Sequence, residues 1–223
     1  MINHNVYLID IYIFNFIDIL HIMAIKIIIL ILLVVLLRMW SIDFLNSDTL
    51  PDHKIFDICH NILPDLRDNN NILSVYDFYT GIPIYLLILN ILKNKDWIIL
   101  KEYLILMGIL NITRVLFYSV TILPDSSKMC KDINFKTNNP INKFFLGTCR
   151  DLIFSGHASN SFLAWKFLFD KYKINPLYAI IHQLFLLIAM FCQRRHYSID
   201  VIVAYLSVYL IYDKKVTLVS IFN

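Results

Sequence analysis

The chain has 223 residues, 58% of them hydrophobic, and a mean hydropathy of +0.63, which is too apolar for an ordinary water-soluble domain. Its net charge of +3 is mild and spread along the chain, which excludes a nucleic-acid-binding footprint. The four cysteines (Cys59, Cys130, Cys149, Cys192) lack the C-x2-C spacing of a zinc site.

Residues 1–20 are apolar but carry Asp10 and Asp18, which suits a cytosolic, interfacial segment. The first strong apolar run, 21–40, contains "IKIIILILLVVLLRMW". It has no basic leader and no small-residue cleavage site, so it reads as an anchor and not a signal peptide. An Asp-rich linker covers 41–75, and apolar segments follow at 76–92 and 97–122. A second linker, 123–151, precedes three more segments at 152–169, 175–192 and 198–213. A bilayer-spanning helix needs about 20 mainly apolar residues. These segments predict an all-α, polytopic membrane protein: a six-transmembrane-helix bundle over 21–213, with a cytosolic tail at 214–223.

Lysine pairs fix the expected orientation. Lys93 and Lys95, Lys171 and Lys173, and Lys214 and Lys215 fall on one face of a six-span bundle, which is then cytosolic. Both termini lie on that face. Arg194 and Arg195 sit in a short loop on the opposite face, against the charge rule. They suit an anionic ligand at the outer surface.

That loop runs into "RRHYSIDVIVAY". On a helix His196 and Asp200, at i and i+4, share a face. The carboxylate can accept from one imidazole nitrogen and leave the other as nucleophile or base. An interfacial ion pair is the plain alternative. A second motif, "CRDLIFSGHASNSF", holds Ser155, Gly156 and His157 at the outer end of the fourth segment. Glycine permits close backbone approach, a helix N-terminus suits a phosphate, and His157 can act as general acid or base beside it. Arg114 lies within the third span, where an arginine points to function unless it snorkels to the headgroups. Asp77 and Asp151 are candidates for holding a cationic headgroup; interfacial solvation is the alternative for both. Tyr197 fits an aromatic belt as well as a site, and His182 reads as structural.

Four blocks together resemble the sphingomyelin synthase family, within the lipid phosphate phosphatase (type 2 phosphatidic acid phosphatase) superfamily. They are "LPDHKIFD" (50–57), "TRVLFYSVTILP" (113–124), "CRDLIFSGH" and "HYSIDVIVAY", in the family's order. The departures are Arg150 for a glycine, Ser198 for a threonine, a shorter second linker, and no sterile-alpha-motif domain ahead of the membrane unit. The phosphatase branch's K-x6-R-P motif is missing, and Met190 stands where that branch carries arginine.

The resemblance implies six spans, an exoplasmic site, no metal or other cofactor, and a His157–His196–Asp200 triad. The implied reaction is a ceramide phosphotransfer. His196 takes a phosphorylated headgroup from phosphatidylcholine or phosphatidylethanolamine, diacylglycerol leaves, and ceramide accepts the headgroup. Arg114, Arg194, Arg195, Ser155 and the backbone at Gly156 are the expected phosphate-binding groups. Residence in the Golgi, endoplasmic reticulum or plasma membrane follows. The headgroup, a homo-oligomer and a Cys130–Cys149 disulfide stay open. Two rival classes are a hydrolase using the same histidines and a non-catalytic membrane protein.

Overall fold

Apolar runs bounded by capping residues become helices. The structure, a computed structural model, describes residues 25–37, 39, 55–66, 70–121, 123–124 and 152–222, with the side chains of 70–77 outside the description. Among these residues the chain is all-helical. The helices are α1 (Ile25–Leu37), α2 (Ile58–Ile62), α3 (Asn70–Asn94), α4 (Trp97–Val120), α5 (Gly156–Tyr172), α6 (Pro176–Cys192), α7 (Ser198–Asp213) and α8 (Lys215–Ser220). The interfacial segment 1–20, most of the 123–151 linker, Asp151, Cys130 and Cys149 lie outside the described residues, as does the Asp77 side chain.

Each of the six expected apolar segments contains one helix. α3 begins earlier than its segment, at Asn70, and α5 begins later, at Gly156. The delay has a local cause: Ser155 is the N-cap, its Oγ accepting the Ala158 N–H at 3.2 Å, and residues 152–155 are buried, non-helical chain. Lys173, in the left-handed conformation with φ 55°, closes the other end of α5. Asn175 and Pro176 then start α6, with Asn175 Oδ1 accepting the Leu177 N–H at 2.9 Å.

These caps keep the helices short. The 17 residues of α6 reach ~26 Å at ~1.5 Å per residue, under the ~30 Å of a hydrocarbon core. By length and apolarity α4 alone, among the described residues, qualifies to cross a membrane, and α1 and α6 are shorter apolar helices.

α5 is the central helix, packed against α3, α4, α6 and α7. Its contacts set the directions of its neighbours. Lys171 near its end meets Glu102 near the start of α4 at 3.6 Å, so α4 is antiparallel to it. Ser161 meets Gln183, and Ser155 meets Met190, so α6 is antiparallel too. Ser155 meets Asp200 while Phe167 meets Tyr212, so α7 runs parallel. The starts of α5 and α7 and the ends of α4 and α6 therefore share one end of the bundle. The lysine-bearing junctions share the other.

Small residues at the seams (Ala158, Ser161, Ala164, Ala204) let the helices approach closely. Leu163, Phe167, Leu168, Leu186 and Val208 fill the space between them. The outside is apolar as well: Ile180, Leu184 and Phe185 of α6 and Ile202, Leu206 and Leu210 of α7 are exposed. Helices apolar on all faces belong in a large core or a membrane. A polar triad crosses this interior. Gln183 Nε2 donates to Ser161 Oγ at 2.8 Å, and Tyr205 Oη–H donates to Gln183 Oε1 at 2.8 Å.

Replacing Gln183 with leucine strips a partner from both Ser161 and Tyr205. Leaving a buried polar group unsatisfied costs ~1–3 kcal/mol. Thermal unfolding in detergent is expected to show a lower midpoint for Gln183→Leu; an unchanged midpoint would mean the triad contributes nothing to stability.

Candidate active site

The shared end of the bundle gathers the chemistry. α7 starts at Ser198, and Asp200 in its first turn is fully buried. The Asp200 carboxylate Oδ2 accepts the Tyr197 N–H at 2.8 Å and faces His196 Nδ1 at 3.3 Å. A carboxylate only accepts, so the neutral imidazole carries its proton on Nδ1. Nε2 is then the basic nitrogen. This is the orientation that the i, i+4 spacing predicts.

His157 sits in the first turn of α5, half-buried, with its ring centroid 6.4 Å from that of His196. The two helix starts are tied directly, because the Ser155 N–H donates to the Asp200 carbonyl at 3.2 Å. Ser155 itself is fully buried, and its Oγ–H points at the Met190 sulfur at 3.6 Å.

Arg114 reaches this cluster from α4. It is buried, its Nε donates to the Phe154 carbonyl at 2.9 Å, and its guanidinium sits 5.7 Å from the Tyr118 ring centroid. Its plane lies against Gly156: a Cβ there would be 3.1 Å from both Arg114 Cζ and Nη1. Glycine is what allows a cation to lie against the helix start beside His157.

The two loop arginines behave differently from each other. Arg194 is buried; its Nη1 donates to the Phe191 carbonyl at 3.0 Å and its Nη2 to the Leu63 carbonyl at 2.9 Å. Those bonds cap the end of α6 and hold Arg194 itself at φ 55°, a conformation that costs a non-glycine residue ~1–2 kcal/mol. Arg195 is half-buried, and its N–H donates to the Met190 carbonyl at 3.1 Å. Tyr197 is buried and donates its hydroxyl to the Pro124 carbonyl at 3.1 Å, which makes it a tether and not a belt residue. His182, in mid-bundle, donates to the Tyr79 carbonyl at 2.9 Å and stacks on that ring at 4.4 Å, as a structural histidine does. Among the described residues, no group of three His, Cys, Asp or Glu side chains is arranged to hold a metal.

Two residues at this end carried no role in the sequence reading. Asp57 caps α2 by accepting the His60 N–H at 3.0 Å. It also accepts the Ser198 N–H at 2.6 Å and the Ser198 hydroxyl at 2.9 Å. His60 Nε2–H donates to the His196 carbonyl at 2.9 Å, and its ring packs 5.3 Å from Tyr197. The sequence signal was the acidic block 50–57, in which no single residue stood out. Burial pushes the Asp57 carboxyl up, but the bonds from Ser198 and His60 outweigh that and hold it below the usual carboxylate range.

A carboxyl depressed in the folded state contributes stability above its unfolded pKa of ~3.9 and loses it as pH falls through the folded value. The unfolding midpoint is expected to drop between pH ~7 and pH ~3 by more in the unaltered chain than in Asp57→Asn. Equal drops would remove Asp57 from the acid response. At the other contact, Gly156→Ala presses a methyl group onto the Arg114 guanidinium. Its stability loss and that of Arg114→Ala are expected to be non-additive by ~0.5 kcal/mol or more in a double-mutant cycle. Strict additivity would separate the two residues.

Residues 148–216 match the family model described as PAP2 superfamily C-terminal. The match takes in α5, α6 and α7 and so includes His157, His196 and Asp200. No curated protein matches the chain. The superfamily is that of the lipid phosphate phosphatases, membrane enzymes acting on phosphate esters, mostly as phosphatases. Residues 148–216 are similar to the C-terminal region of that superfamily.

Proposed function

We propose that this chain is a ceramide phosphotransferase that moves the phosphorylated headgroup of a glycerophospholipid onto ceramide. The observation that carries the reading is the neighbouring pair His157 and His196, 6.4 Å apart between ring centroids and tilted at 63°, with the Asp200 carboxylate at the Nδ1 of the second ring. Two imidazoles on opposite sides of one phosphoryl site supply a nucleophile and a general acid.

In the first step His196 Nε2 attacks phosphorus and forms an N–P bond. The bond from phosphorus to the glyceryl oxygen breaks, and His157 gives that oxygen its proton, releasing diacylglycerol. Asp200 holds the Nδ1 proton and balances the charge that develops on the His196 ring. In the second step His157 takes the proton of the ceramide primary hydroxyl. The new O–P bond forms as the N–P bond breaks. Arg114, beside Gly156, offsets charge on the phosphoryl oxygens, with Arg195 and the backbone at the start of α5 assisting. Arg194 serves the site by shaping the loop through the Phe191 and Leu63 carbonyls.

The choice of ceramide over water as acceptor rests on the four sequence blocks and on Met190. Where the phosphatase branch carries an arginine, this chain places a thioether against Ser155. A hydrolase must admit water to the intermediate, whereas a transferase keeps it dry until a lipid hydroxyl arrives. The apolar exterior fits a six-span bundle, with the site at the exoplasmic end and the lysine pairs in the cytosol. Asp77 and Asp151 remain the candidates for a cationic headgroup.

The test is a lipid-product assay in reconstituted bilayers with fluorescent ceramide and either phosphatidylcholine or phosphatidylethanolamine as donor. The headgroup is expected on ceramide with an equal amount of diacylglycerol, undiminished by a chelator. His157→Ala, His196→Ala and Asp200→Asn should each abolish transfer, with non-additive losses. Fast diacylglycerol release that is indifferent to ceramide would make the chain a hydrolase. Near-normal turnover by His196→Ala would remove the nucleophile.

A further inference from the structure

The loop that carries His196 is laced to a distant stretch of chain in a regular pattern. Asp57 accepts from Ser198, His60 donates to the His196 carbonyl, Leu63 accepts from Arg194, and the Leu66 N–H donates to the Cys192 carbonyl at 2.8 Å. Positions 57, 60, 63 and 66 thus meet 198, 196, 194 and 192. The two stretches run antiparallel, every third residue of the first bonded to every second residue of the loop. Three of the four rungs use a backbone group of the loop, so the lacing acts on where the loop backbone lies.

The side-chain contacts of His196 leave room for such a restraint to matter. Its 3.3 Å approach to Asp200 is longer than the ~2.7–2.9 Å of a charge-assisted bond, and Asp200 Oδ2 is shared with the Tyr197 N–H at 2.8 Å. The carboxylate sets which nitrogen is protonated, but so long a bond fixes the ring position weakly. The carbonyl of His196 itself is held by His60 at 2.9 Å, and the next residue but one is clamped twice by Asp57.

We infer that Asp57 and His60 are positioning residues, which hold the His196 backbone so that its imidazole faces His157 and Asp200. This rests on the phosphotransfer reading above. Neither residue needs to touch substrate. Their effect is on the attack step, because a nucleophile displaced by about 1 Å loses about a hundredfold in rate while substrate binding is untouched. A merely structural strap would lower stability and leave kcat alone.

The experiment uses the full chain in detergent–lipid micelles, with four variants: His60→Leu, His60→Gln, Ser198→Ala and His196→Ala. Glutamine keeps an Nε2 donor within reach of the carbonyl, leucine does not, and Ser198→Ala removes one Asp57 bond while sparing the backbone one. Two readouts are taken below the unfolding midpoint of each variant: steady-state kcat and KM for release of diacylglycerol from phosphatidylcholine with ceramide present, and the rate at which diethyl pyrocarbonate modifies His196, read by mass spectrometry. His60→Leu is expected to cut kcat at least about tenfold at unchanged KM, to raise the modification rate of the buried His196 ring, and to be rescued on both by His60→Gln. Ser198→Ala, the mildest change, should move both readouts in the same direction by less. Unchanged His196 reactivity in folded His60→Leu and Ser198→Ala would overturn the inference whatever the activity. So would kcat within about twofold of the unaltered chain. Activity retained by His196→Ala would instead sink the phosphotransfer reading, and the reactivity measurement would still decide the strap.

Discussion

Asp200 is the residue on which the geometry of the candidate site depends. It is fully buried, and it acts through both its side chain and its backbone. Oδ2 receives the Tyr197 N–H and orients His196, while the main-chain carbonyl receives the Ser155 N–H. The first pair of contacts caps α7, and the last joins the start of α7 to the start of α5. One residue therefore sets the tautomer of His196 and also the distance between the two helix ends that carry the histidines. A buried carboxylate is costly unless it is bonded, which makes this arrangement intolerant of change.

Several polar side chains that enter the apolar interior elsewhere in the bundle do so with partners, while the Tyr103 hydroxyl and the Trp165 indole N–H are buried without one among the described residues. Arg114 is bonded to Phe154 and lies against Gly156, Gln183 links Ser161 to Tyr205, and His182 is bonded to and stacked on Tyr79. The lower groups stiffen the seams between α3, α5, α6 and α7. The upper ones converge on the histidines. The candidate site lies at one end of the bundle, and toward the other end Lys171 with Glu102 and Lys166 with Asp170 form partly buried ion pairs.

Much of this was legible in the sequence, for physical reasons that differ from residue to residue. Helix extents followed from apolar runs and their caps, so α4, α6 and α7 lie within a residue or two of the expected segments. His196 and Asp200 were legible because a helical i, i+4 spacing is a local geometry. The pairing of His157 with His196 needed only the alternation of helix direction. Arg194 was harder. Its charge on the wrong face suggested an anion, yet two of its nitrogens bond backbone carbonyls at the end of α6 and at Leu63. The contacts of Asp57 with Ser198 and of His60 with His196 span 141 and 136 positions. No periodicity encodes such pairings; they emerge only when α2 lies over the loop between α6 and α7.

The central claim is that the His196 imidazole takes the phosphoryl group covalently. The most direct measurement is to mix the purified chain with phosphatidylcholine and no acceptor, quench without acid, digest, and locate the adduct by mass spectrometry. A phosphocholine adduct is expected on His196 that is acid-labile, absent from His196→Gln, and cleared when ceramide is added. An adduct on another residue, or none while turnover proceeds at its usual rate, would contradict it.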